Sequence, residues 1–226
     1  MKKLFGIDGK LFNSLNTLAN LLWLNILTVL LCIPVVTAGA SFAAMYSVTL
    51  PMVRGEESYI TKSFFKGFKN NFIQATIMWL ILLAGALVLW MDLNIITKAA
   101  PWLFYYMLIQ LCALLILLLA LYLYIFPLQA YFKNTIRGTM LNALKLALVH
   151  LPYTLVFLIL QSMPWILFYL VNNQALIAVI GWGFSGIAYL SSYAYRGIFA
   201  KYEAPEEQES QMQDIPAESP DDGQSV

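Results

Sequence analysis

His150 is the one histidine in a chain of 226 residues, and it stands alone. A zinc hydrolase of the HExxH kind needs two histidines one helical turn apart, so that chemistry is excluded. No GxSxG elbow is present to expose a serine nucleophile. Cys32 and Cys112 are the two cysteines. Each lies inside an apolar run without metal or redox spacing, and both read as small buried hydrophobes. Acids are equally sparse: Asp92 stands at the end of an apolar run, Glu56 and Glu57 fall in a loop, and no acidic pair lies within a run. Glycine-rich phosphate loops are absent, so ATP-driven work would need a separate subunit. The chain is therefore expected not to be an enzyme, with no catalytic residues, no cofactor and no metal.

Binding chemistry is better represented. Read as a helix from Tyr59, the segment Arg54–Phe72 puts Ile60, Phe64, Phe65, Phe68 and Phe72 on one arc and Lys62, Lys66 and Lys69 on another. A helix with an aromatic face beside a lysine face suits the headgroup level of a membrane, where lysines meet lipid phosphates. The same face could instead lay its rings in a groove of a partner protein. Arg54, Glu56, Glu57, Lys62, Phe64, Lys66, Phe68 and Lys69 are the candidate partner or lipid contacts. A second segment, Phe132 to Leu148, sets Lys133, Arg137 and Lys145 between apolar positions in a related way. His150 then starts a helix, where a hydrogen-bonded structural role is expected rather than proton relay.

Inside the apolar runs the polar groups are amides: Asn25, Gln110 and Gln161. Amides in lipid usually hydrogen-bond between helices. With Trp79, Trp90, Trp102, Trp165 and Trp182 they could line a sugar path, but tryptophan at span ends is also the ordinary interfacial belt. The small residues from Ala38 to Ala44 put Gly39 with Ala43, and Ala40 with Ala44, on shared helix faces that let backbones approach closely.

The elements that must carry these residues are membrane helices. At 61% hydrophobic and 11% charged residues, the chain lacks the polar surface to cover a soluble globule. Apolar runs lie at Thr17–Val36, Ala38–Val53, Phe72–Leu93, Trp102–Leu128, Leu148–Val171 and Ala175–Tyr195. Most are long enough to cross a hydrocarbon layer of about 30 Å. Ala38–Val53 is short and is either a spanning helix or re-entrant.

Twelve of the thirteen Lys and Arg residues fall in four stretches between pairs of these runs. That is the positive-inside pattern of hairpins whose two ends lie in the cytoplasm. The fold expected is an all-α polytopic membrane helical bundle of about six transmembrane helices, both termini cytoplasmic, in the cell inner (cytoplasmic) membrane. Lys2 and Lys3 precede an apolar run, and Ala38-Gly39-Ala40 has the form of a cleavage site. The run is longer than a signal core of about 7–15 residues, so cleavage is not expected. From Glu203 onward there are eight acids and no base. Residues 1–203 are taken as the transmembrane domain and 204–226 as a disordered acidic cytoplasmic tail.

Three stretches together resemble the YesL-like family of bacterial integral membrane proteins, a domain of unknown function. They are Ile33-Pro34-Val35-Val36-Thr37-Ala38-Gly39-Ala40-Ser41, Val53-Arg54-Gly55-Glu56-Glu57 and Ser63-Phe64-Phe65-Lys66-Gly67-Phe68-Lys69-Asn70-Asn71-Phe72. Asn142-Ala143-Leu144-Lys145 and His150-Leu151-Pro152 look like that family's second conserved region. The resemblance implies association with carbohydrate ABC-transporter components and carries no catalytic residues. Two functions are then expected as alternatives: a non-enzymatic accessory or regulatory component of carbohydrate ABC transport, or a transporter or permease subunit in its own right. The absence of buried charge argues against ion coupling. Expected partners are membrane lipids and ABC-transporter subunits, not nucleic acid.

Overall fold

The computed structural model describes residues 10–56, 59–96, 100–171 and 183–213. Among them are seven α-helices and no strand: α1 (Lys10–Cys32), α2 (Ala38–Val53), α3 (Ile60–Ile96), α4 (Pro101–Tyr131), α5 (Ile136–Val149), α6 (Leu151–Val171) and α7 (Phe184–Gln213). The punctuation is local. Pro34 lacks an N–H and bars continuation of α1. One 3-10 turn, Val35–Thr37, then starts α2. Gly55, at φ +78, ends α2 in the left-handed region that glycine enters without strain. Pro101 occupies the first turn of α4, where a missing N–H costs nothing. Thr135 caps α5, its hydroxyl accepting from the Gly138 N–H at 3.2 Å.

Ser14–Cys32, Val35–Val53, Ile60–Ile96 and Leu103–Tyr131 are each long and apolar enough to cross a membrane. Ile136–Val149 with Leu151–Met163, bent through 102°, would make a fifth. Six were expected from the sequence. The bend divides the expected Leu148–Val171 run, because α5 takes its start and His150 closes that helix. The expected Ala175–Tyr195 run is described only from residue 183, where it becomes the start of α7. The backbone of α7 stays helical to Gln213, past Ala204 where the disordered tail was expected to begin. Residues 214–226 of that tail lie outside the described residues.

α2 is the centre. Of its best apolar window 61% is buried, against 22% for that of α3. Ala40, Ala43 and Ala44 are wholly enclosed, so small residues bring α2 against its neighbours. α2 and α3 run antiparallel with two close crossings. A Cβ on Gly39 would strike the Trp79 side chain and the Ala75 carbonyl, and one on Gly67 would strike the Ser47 hydroxyl. α7 runs beside α2, with the Ser192 hydroxyl donating to Thr49 at 3.0 Å. Its start is fixed by α1, where the Asn25 carbonyl oxygen accepts from the Phe184 and Ser185 N–H groups at 3.0 and 2.9 Å. Asn25 is thus a helix cap in the core.

The hairpin of α1 and α2 stops part-way along α3. Its turn meets α3 at Trp79, whose indole N–H donates to the Val35 carbonyl at 2.7 Å. From there α3 continues to Ile96, about 25 Å farther at 1.5 Å per residue. The turn exposes Leu30, Ile33, Val35 and Val36, all apolar. Several of its backbone carbonyls are engaged: the Thr37 hydroxyl shares its hydrogen between Leu31 at 2.6 Å and Pro34 at 2.9 Å. Outward faces of α3, α4 and α6 carry exposed Ile and Leu side chains along their length, including Ile77, Leu87, Ile109, Ile116 and Ile159.

Candidate functional site

At the end of the bundle away from Ile96, α3, the end of α4 and the start of α5 enclose a cleft of about 1130 Å³. Its floor is an amide network. The buried Gln129 side chain donates from Nε2 to Asn71 Oδ1 at 3.2 Å and to Gln74 Oε1 at 2.5 Å. Its Oε1 accepts from the Thr139 hydroxyl at 3.3 Å. Asn71 donates in turn to the Gly67 carbonyl at 2.9 Å. One glutamine therefore ties α3, α4 and α5 together, with both its amino hydrogens and its oxygen engaged.

The walls are cationic. Lys66 and Lys69 from α3 and Lys133 from the α4–α5 connection line the cleft, with Ser47, Asn134 and Thr135. No acid is among the lining residues. The ion pair of Arg54 with Glu56, at 3.7 Å, lies elsewhere. Thr135 also brings the first turn of α5 to the rim, and the first N–H groups of a helix have no partner within it. The arrangement can hold an anion.

The expected contact residues separate. Lys66 and Lys69 reach the cleft. Arg54 sits over the Tyr131 ring, 4.8 Å from its centroid, and Glu56 is exposed beside it. Glu57 lies outside the described residues. Phe64 is 0% exposed and belongs to the core, and Phe68 is half-buried against it. The expected surface helix of Arg54–Phe72 is not a separate element, because α3 runs unbroken from Ile60 to Ile96. The helix turns Phe64 and Gly67 toward the bundle. Left outside is a stripe of Tyr59, Lys62, Phe65, Lys69 and Phe72, spaced three or four residues apart, with Tyr59 85% and Phe65 48% exposed.

Sequence reasoning missed Gln129, Asn71, Gln74, Thr139 and Lys133 as parts of one site. The signal available was an amide or lysine at each end of two apolar runs that form a hairpin. Of the amides it did weigh, Gln161 contacts Tyr122 at 3.5 Å and Gln110 is exposed. Trp79 is spent on the hairpin turn, and the side chains of Trp102, Trp165 and Trp182 lie outside the described residues. His150 caps α5 and its Nε2 meets the Tyr202 hydroxyl at 3.3 Å, a structural placement.

Residues 17–93 match the family model described as "Protein of unknown function, DUF624". YesL-like proteins carry this family. The match covers most of α1, all of α2 and α3 as far as Leu93, so it includes the exposed stripe and the α3 wall of the cleft. No curated protein and no solved structure matches the chain.

Proposed function

We propose that the chain is a YesL-like, multi-pass protein of the cell inner membrane that acts as a non-enzymatic accessory subunit of carbohydrate ABC transport. The observation that supports the reading is the outer stripe of α3. Tyr59 just precedes the helix, and Phe65 and Phe72 alternate with Lys62 and Lys69 on it; it is about 55 Å long, well beyond the roughly 30 Å of a hydrocarbon core. The first turns of α3 therefore project from the bilayer and carry exposed aromatic rings, the side chains enriched at protein–protein contacts, between the two lysines. In this reading the lysine-bearing end faces the cytoplasm, as the clustering of basic residues favours. In the same reading α3 and α4 cross the membrane, and the α1–α2 hairpin enters from the cytoplasmic side without crossing.

Affinity purification in mild detergent tests the function. An ABC permease or ATPase subunit should co-elute with the wild type. Phe65→Ala with Phe72→Ala should reduce its recovery by on the order of tenfold or more, with the protein still accumulating in the membrane. Absence of any such subunit from the wild-type eluate would reject the reading, as would full recovery with the double variant.

A further inference from the structure

We propose that the cleft walled by Lys66, Lys69 and Lys133 binds the phosphate of an anionic glycerophospholipid headgroup. The inference requires no partner protein and goes beyond the accessory role. Three lysines line one cleft with no acid among its lining residues, so an anion there meets positive charge from three positions in the chain and no opposing carboxylate. Lysine binds phosphate as a mobile point charge with three donors. Thr135, the N-cap of α5, brings the positive end of a helix dipole to the rim.

The rest of the cleft suits what carries the phosphate. Its volume exceeds that of a bare oxyanion and falls near the range of small-molecule sites. Asn70, Asn134 and the Gln74 amino group make no hydrogen bond among the described residues, and such amides recognise hydroxyls. One lining residue points to the lipid source. Ile73 is 71% exposed, one turn beyond Lys69, and Ile77 and Leu80 continue its face along α3. A phosphate held by the lysines would have its acyl chains on that apolar track.

The full-length protein, purified in an uncharged detergent, is offered phosphatidylglycerol, phosphatidylcholine or glycerol phosphate, and retention is read by native mass spectrometry. Phosphatidylglycerol should be retained and phosphatidylcholine should not. Lys66→Gln, Lys69→Gln and Lys133→Gln together should weaken retention by at least about tenfold, and each alone by part of that. The control, Arg137→Gln with Lys145→Gln and Lys201→Gln, removes the same charge from exposed positions outside the cleft and should change retention less than about threefold. If glycerol phosphate competes as strongly as the lipid, the site takes phosphate from a soluble carrier and the lipid assignment falls. Equal losses in the two triple variants, or retention of neither phosphate by the wild type, would overturn the site. Because no transporter subunit is present, these outcomes are independent of the co-purification test.

Discussion

Phe64 and Phe65 are neighbours with opposite duties. Their rings meet edge to face with centroids 5.8 Å apart, yet Phe64 is enclosed and Phe65 stands half out of the bundle. Phe64→Ala would leave a ring-sized void between α2 and α3, where neighbours already touch backbone to backbone at Gly67. It should cost about 3–5 kcal/mol. Phe65→Ala should cost about 0.5 kcal/mol or less. Melting of the two variants in the same detergent checks the pair. A larger loss from Phe65 would mean that the helix is rotated from the phase described.

Among the elements, the α1–α2 hairpin makes the sharpest claim. Its turn is apolar outside and hydrogen-bonded inside, as hydrocarbon demands, because an unpaired carbonyl there costs several kcal/mol. It lies about 15 Å along α3 from Lys69 and about 25 Å from Ile96. Single cysteines at Lys66, Val35 and Ala100, in a background without Cys32 and Cys112, report these depths. An impermeant maleimide should label position 100 from outside intact cells and position 66 only in inverted vesicles. Position 35 should resist labelling from both sides. Rapid external labelling of position 35 would make α1 and α2 full crossings.

This hairpin also marks where the sequence was legible. The apolar run Ala38–Val53 has the bounds of α2 as observed, because the signals that flank it, Pro34 and Gly55, act through the backbone alone. The phase of α3 could not be read the same way. In water an apolar face is a buried face, but lipid and protein interior are both apolar, so four phenylalanines between Phe64 and Phe72 do not disclose which of them faces the bundle. The cleft was hidden for a different reason. Gln129 meets Asn71 across a hairpin of two long helices, and that register depends on packing rather than on local spacing.

Taken whole, the molecule is unequal along its axis. Among the described residues, α1 and α2 stop at the level of Trp79 on α3 and do not extend to that of Ile96. If the bilayer lies as proposed, two helices of about 10 Å diameter would add on the order of 150 Å² of cross-section in the leaflet of the Lys66 end that the described parts of α1 and α2 do not supply in the other. Such a body is a wedge, and lateral packing makes a wedge sensitive to curvature. In small, strongly curved vesicles the outer leaflet is the roomier one, so the Lys66 end should face outward in a larger fraction of molecules than in large, nearly flat vesicles. Maleimide accessibility of a cysteine at position 66 in the two preparations measures that fraction. An identical orientation in both would mean that the far leaflet is filled as fully as the near one. If the fractions differ, the short first hairpin gives the protein a mechanical preference for where in a membrane it resides.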